Sequence, residues 1–262
     1  MTTFTLADDL AVAQVLAAEA DLIAIDRYRS QDLDVQLKPD RSQVTDADTR
    51  IEKVIRDHLA AARPDDSILG EEGGVTGSSN RQWIIDPIDG TSNFVRGVPI
   101  WGALIALVID GRPEVSVVSA PALDRRWWAA SGHGAWLQQG GGEPRRLNVS
   151  RIDELADATL SYNSLKHWDE YGRLDQLITL SRAVGRTRAF GDLWSYMLLA
   201  EGAIDIAGEF DVKPWDIAAL VPIVREAGGR ITDADGAADL TTLSVVATNG
   251  LLHDRVLAML AP

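Results

Sequence analysis

An α/β fold in two halves is predicted by three features of the sequence. Beyond about residue 147, short apolar runs with strand character alternate with helical segments, the pattern of an α/β layer. Before that point, two helical segments precede a series of strands, an α+β arrangement. Between the two helices and most of those strands lies Trp83-Ile84-Ile85-Asp86-Pro87-Ile88-Asp89-Gly90-Thr91-Ser92-Asn93-Phe94. Here a buried strand runs straight into a turn rich in carboxylates. The division is placed after the glycine-rich stretch Gln138 to Glu143, giving an N-terminal half over 1–146 and a C-terminal half over 147–262.

Apolar residues at helical spacing (Leu6, Leu10, Val12, Ala13, Leu16, Ala17) predict a first helix over 6–29. A polar, proline-interrupted loop follows over 34–42. Thr45 is suited to cap a second helix reaching about Ala62, with Asp46 and Asp48 at the positive end of its dipole. Ser67 to Leu69 reads as a short strand entering a glycine-rich turn, and Val75 to Arg81 as a mobile loop. Trp83 to Ile85 is a strand. Pro87 biases Asp86 to an extended backbone, and Thr91 is the expected cap of a short helical turn. Strands are predicted over 100–109, 115–120 and 126–129, with Asp110-Gly111 as a hairpin turn. In the second half, strands near 159–162, 186–190, 203–207, 230–232 and 244–248 alternate with helices near 169–183, 193–201, 214–227 and 251–260.

The 262 residues are 46% hydrophobic and 24% charged, ordinary for a globular chain. No apolar run reaches the roughly 18 residues of a membrane span, and the N-terminus lacks the features of a secretory signal. Cysteine is absent, which excludes disulfides, thiolate metal sites and a cysteine nucleophile. A cytoplasmic location fits these features. Acids outnumber bases 39 to 25, a formal net charge of −14, which disfavours a nucleic-acid partner. An acidic chain that handles phosphate needs metal ions to supply positive charge.

Four separate elements offer carboxylates at a strand end or helix start: Asp48, Glu71, the pair Asp86 and Asp89, and Asp216. Each has a structural reading too, since Asp48 and Asp216 also suit the first turn of a helix. Carboxylates beside the Gly90-Thr91 turn suit a hard divalent cation together with a phosphate.

Together these segments resemble the lithium-sensitive inositol monophosphatase family of magnesium-dependent phosphatases. The resemblance rests on Val44-Thr45-Asp46-Ala47-Asp48, Gly70-Glu71-Glu72, Asp86-Pro87-Ile88-Asp89-Gly90-Thr91, Trp215-Asp216 and Glu226-Ala227-Gly228-Gly229, and spans residues 5 to 260. It implies a layered αβαβα sandwich, a homodimer, and two or three Mg²⁺ per active site. It further implies that Glu71, Asp86 and the Ile88 carbonyl hold a first metal, and Asp86, Asp89 and Asp216 a second. Glu71 and waters would hold a third. In this reading Thr91, paired with Asp48, orients and deprotonates a metal-activated water. The Gly90 and Thr91 N–H groups cradle the phosphate, and Lys38 lies on a gating loop.

Within the family, the chain is most similar to the actinobacterial histidinol-phosphate phosphatases. The matching segments are Asn93 to Trp101, Ser119 to Leu123 with Arg125-Arg126-Trp127-Trp128, and Phe190-Gly191-Asp192. Inositol-specific relatives carry Gly-Thr in place of Gly191-Asp192. A carboxylate at Asp192, with Glu209 as a second, suits the cationic amine of histidinol phosphate. The less favoured reading of Asp192 is a plain helix cap after Gly191. Ser92 departs from the lysine that those relatives carry, which leaves an inositol or sugar monophosphatase as the alternative. A non-catalytic regulatory role is the third reading, disfavoured by the full ligand set and the acidic charge.

Overall fold

The computed structural model describes residues 4–238 and 240–261. Its elements are, in order, α1 (Leu6–Arg27), β1 (Val35–Leu37), β2 (Gln43–Thr45), α2 (Asp46–Ala62), β3 (Ser67–Gly70), β4 (Gly74–Thr76), β5 (Arg81–Asp89) and α3 (Thr91–Arg96). Then come β6 (Gly102–Ile109), β7 (Arg112–Ala120), β8 (Arg125–Ala130), β9 (Ala135–Gln139), β10 (Arg145–Arg146), β11 (Thr159–Tyr162), α4 (Leu165–Glu170) and α5 (Leu174–Ala183). The chain ends with β12 (Arg186–Arg188), α6 (Asp192–Ala200), β13 (Ile206–Phe210), α7 (Pro214–Ile217), α8 (Leu220–Glu226), β14 (Arg230–Thr232), β15 (Ser244–Thr248) and α9 (His253–Leu260).

Among the described residues, an eight-stranded sheet runs in the order β10-β9-β8-β7-β6-β5-β3-β4 and a five-stranded sheet in the order β12-β11-β13-β15-β14. The first ends at Arg146 and the second begins at Thr159. Strand alternation sends Trp83 and Ile85 of β5 to one face, against Ala13, Leu16 and Ala17 of α1 and Ile51 and Ile55 of α2. Ile84, Leu104 and Val118 go to the other face and meet Met197 of α6 and Ile223 of α8. Ala207, Val245 and Ala247 of the second sheet close the same apolar layer. Its far face, Leu160, Ile206 and Val246, is covered by Leu177 and Leu180 of α5 and Val256 of α9. The stack reads αβαβα, as expected.

Several expectations shift. The polar stretch 34–42 is part of a small antiparallel ribbon, Val35 pairing with Thr45. Residues 74–76 form an edge strand on β3 rather than a loop. The helix expected over 169–183 is two helices, broken at Gly172 with φ +67°, and that over 214–227 is broken at Ala218 and Ala219. The strand expected at 203–207 lies at Ile206–Phe210, and β9 and β10 were not foreseen: β9 runs into the glycine-rich stretch read as a loop, and β10 is only the two polar residues Arg145–Arg146. Asp110-Gly111 is the hairpin turn, with positive φ at both residues (+50° and +77°).

Asp9 of α1 is fully buried and bridges two arginines. It accepts from Arg63 Nε and Arg81 Nη2, each at 2.9 Å. Removing one partner of a buried ion pair leaves uncompensated charge and costs about 3–5 kcal/mol. The substitution Asp9→Ala is therefore expected to lower the unfolding free energy by about 3 kcal/mol in urea titration at neutral pH, while Asp8→Ala, which removes the exposed partner of the Thr5 cap, is expected to have a much smaller effect.

Candidate active site

The site is built on an irregularity in β5. Asp86 pairs with Leu104 of β6, but the next registered pair is Asp89 with Gly102. Three steps on one strand face two on the other, which is a β-bulge. Pro87 has no N–H for the ladder, so the bulge falls where pairing is lost anyway. In a regular strand, residues three apart point to opposite faces. The extra residue reverses that parity and lets both carboxylates face one side. Asp216, the third residue of α7, completes the group, with carboxylate oxygens of Asp86, Asp89 and Asp216 all within 4.8 Å of one another.

Each carboxylate is fixed by backbone donors. Ile88 N–H donates to Asp86 at 3.0 Å, and Leu193 N–H, at the start of α6, donates to Asp89 at 2.6 Å. Lys213 N–H donates to Asp216 at 2.6 Å. Asp216 thus caps α7 and faces its neighbours at the same time. Burial, and then the charges of Glu71, Asp89, Asp216 and Asp48, push Asp86 well above the usual carboxylate range. Burial, followed by Asp192 and Asp216, does the same to Asp89. Asp216 is pushed up to about 7 by burial, against the Lys213 N–H.

Asp48 approaches from α2. Its Oδ2 accepts from Thr45 N–H at 2.8 Å and Thr45 hydroxyl at 2.6 Å, closing a capping box. Its Oδ1 faces the Thr91 hydroxyl at 3.4 Å. Burial lifts Asp48 to about 7, opposed by the Thr45 hydrogen bonds and reinforced by Glu72 and Glu71. Thr91 is not the helix cap that the sequence suggested. Gly90 takes that place at φ +82°, where a Cβ would lie 2.9 Å from Ile100 O. Thr91 Oγ1 instead donates to Ile88 O at 2.9 Å, so the hydroxyl lies between that carbonyl and Asp48.

Glu71 leaves the end of β3 beside the cluster. Lys38 Nζ is 2.6 Å from Glu71 and 2.7 Å from Glu72, and these pairs hold its ammonium pKa above the usual lysine value despite burial. The turn itself is held by Glu52, which the sequence reading passed over. Its carboxylate accepts from Glu72 N–H at 2.8 Å, Gly73 N–H at 2.7 Å and Arg56 Nε at 2.7 Å. A Cβ on Gly70 would meet the Glu52 carboxylate at 2.3 Å, so a larger residue there would push that carboxylate away from the turn it holds. The signal was available: Glu52 follows Asp48 by four residues and shares its inward helix face.

On the other side, Asp192 is not a helix cap, since Gly191 holds that position. Asp192 adopts φ +49°, and its Oδ2 accepts from Asn93 Nδ2 at 3.0 Å, which also donates to Ile100 O. Burial, opposed by Asn93, lifts Asp192 to about 6. Glu209 on β13 is buried beside Tyr196, and its Oε1 has no hydrogen-bond partner among the described residues. Burial, then Asp192, Asp89 and Asp216, raise it well above its usual value. Asp86, Asp89 and Asp216 converge directly, with Asp48, Thr91, Glu71, Lys38, Asp192 and Glu209 around them, and the structure adds Glu52 and a role for Asn93.

An all-oxygen acidic cleft at the seam of an αβαβα sandwich defines a class. The chain matches the inositol monophosphatase family over residues 6–261 and belongs to it. It is 54% identical to a histidinol-phosphatase of Mycobacterium tuberculosis, covering 97% of this chain and 98% of that protein. A histidinol-phosphatase of Streptomyces coelicolor is 49% identical, with 97% of each covered. Among solved structures, the extragenic suppressor protein suhB of Bartonella henselae superposes with a TM-score of 0.87 at 30% identity, covering 96% of this chain and 98% of that one.

The clustered acids make folding depend on pH. Asp48 and Asp216 rise from 3.8 to about 7 on folding, and Asp192 to about 6. Between those limits the native state holds more protons than the unfolded chain, so stability is full below about pH 4 for these groups and is lost as pH rises towards 7. Without divalent metal, the melting temperature is expected to fall between pH 5 and pH 7.5, and Asp48→Asn to flatten that fall. A scanning-calorimetry series checks both.

Proposed function

We propose that this chain is a phosphoric monoester hydrolase that converts L-histidinol phosphate to histidinol and phosphate, with Mg²⁺ as its cofactor. The observation that carries the substrate is Asp192. Its carboxylate is half-buried, fixed by Asn93 and placed beside Asp89, with Glu209 behind it. Those two acids exceed what the metal cluster uses and suit a cationic amine. The likeness to histidinol-phosphatases over nearly the whole chain supports the same reading.

The donor set fits Mg²⁺, since carboxylates and a carbonyl are hard oxygen ligands and the Asp86, Asp89 and Asp216 oxygens converge without a cation of their own. Asp86, Glu71 and Ile88 O would hold one ion, Asp86, Asp89 and Asp216 a second, and Glu71 a third. Bound there, Mg²⁺ would supply an activated water and charge neutralisation for the leaving oxygen. Asp48 accepts a proton through the Thr91 hydroxyl, which is suited to relay it because Ile88 O and Asp48 Oδ1 compete for its hydrogen. The Gly90 and Thr91 N–H groups, at the start of α3, lie where a short helix leaves donors free for phosphate. Lys38 neutralises Glu71 and Glu72, so it must yield as metal enters. A homodimer is part of the same proposal, testable by sedimentation.

Ser92 favours a second reading, a broader inositol or sugar monophosphatase. Phosphate release with Mg²⁺ separates the two. A kcat/KM at least about a hundredfold higher for histidinol phosphate than for inositol 1-phosphate, about 2.7 kcal/mol at the transition state, supports the first reading. Comparable values overturn it. Asp192→Asn is expected to lower kcat/KM for histidinol phosphate by about tenfold to a hundredfold while leaving hydrolysis of a phosphate monoester that lacks a cationic group within about threefold.

A further inference from the structure

The hairpin turn between β6 and β7 leans against α7 and α8 and encloses a cavity of about 180 Å³ outside the acidic cluster. Ile217, Val221, Ile231 and Val245 form its apolar wall. Arg112 and Arg225 stand at its mouth, and neither guanidinium has a hydrogen bond or ion pair among the described residues. Arg225 is exposed, and partial desolvation against the protein lowers its pKa from the usual arginine value, with Glu114 favouring its charge and Arg112 opposing it. Two like charges beside an apolar hollow are relieved by an anion. Among the described residues, the two lining arginines and the nearby Glu114 leave one net positive charge, which matches a monoanion better than a dianionic phosphate.

We propose that this cavity is an effector site for a small carboxylate with an apolar body. The body fills the hollow, and the carboxylate takes the forked hydrogen bonds that guanidinium groups give best. The volume is small beside ordinary drug-sized pockets, so the ligand is of benzoate size. Ile217 lines the cavity and directly follows Asp216 in α7. Pro214, the first residue of α7, lines a neighbouring hollow that shares the walls Gly111, Ala238 and Leu240. An occupant therefore bears on the short helix that places Asp216.

Benzoate and 3-phenylpropionate are suitable probes, titrated calorimetrically into the full-length protein with Mg²⁺ and saturating inorganic phosphate present. One saturable site is expected in the millimolar range, weakened at least about tenfold by Arg225→Gln, as loss of a charge-assisted pair requires. Val221→Phe, which fills the hollow and keeps both arginines, is expected to abolish binding. Arg225→Gln is expected to retain wild-type turnover without probe. Binding is also expected to change the Mg²⁺ concentration for half-maximal activity at least twofold. Absence of saturable binding, equal affinity in Arg225→Gln, or displacement of the probe by phosphate each overturns the site. Binding with unaltered Mg²⁺ activation overturns its effector role.

Discussion

Repulsion among buried carboxylates is the constraint on which the rest of this structure depends. Two unit charges 4 Å apart repel by about 4 kcal/mol at an effective dielectric constant near 20, and Asp86, Asp89 and Asp216 are grouped within 4.8 Å. The fold resists that repulsion with backbone donors rather than with cations. Ile88, Leu193 and Lys213 N–H groups each hold one member, while the Thr45 capping box holds Asp48. Lys38 is the cationic exception, and it neutralises the Glu71 and Glu72 pair rather than the central three. What remains is a pocket of negative charge that protons or divalent cations must satisfy.

One of these donors also joins the two halves. Leu193 N–H begins α6 in the C-terminal half, yet it donates to Asp89 in the N-terminal half. Glu226 of α8 accepts from Gly132 and Gly134 N–H in the turn between β8 and β9, at 2.8 and 2.7 Å. Glu201 takes Arg125 and the Trp127 indole, and pairs also with Arg145. Glu226 belongs to the Glu226-Ala227-Gly228-Gly229 segment that carried part of the family resemblance. Its visible work is to lock the halves in register, which keeps Asp216 opposite Asp86.

Much of the site was legible because its residues sit beside strong local signals. Pro87 marked Asp86 as extended, Asp89-Gly90 a turn, and Thr45 with Asp48 a helix start. The parity change that turns Asp86 and Asp89 to one side was not legible, since a bulge depends on the partner strand. Glu52 was hidden for a similar reason. A glutamate in a charged helix looks solvated until the Glu72 and Gly73 N–H groups come to it from β3. Helix breaks at Gly172 and at Ala218 and Ala219 went unseen because the apolar periodicity continues across them. Asp192 was found, but its left-handed backbone and its Asn93 contact come from tertiary packing alone.

The central claim is that the converging carboxylates form a divalent-cation site whose charge is otherwise partly protonated. Calorimetric titration of Mg²⁺ at pH 6.5, in two buffers of different ionisation enthalpy, tests it most directly. The account predicts saturable binding with net proton release, tighter as pH rises, and lost in Asp86→Asn. Binding without proton release, or binding that survives Asp86→Asn unchanged, would contradict it.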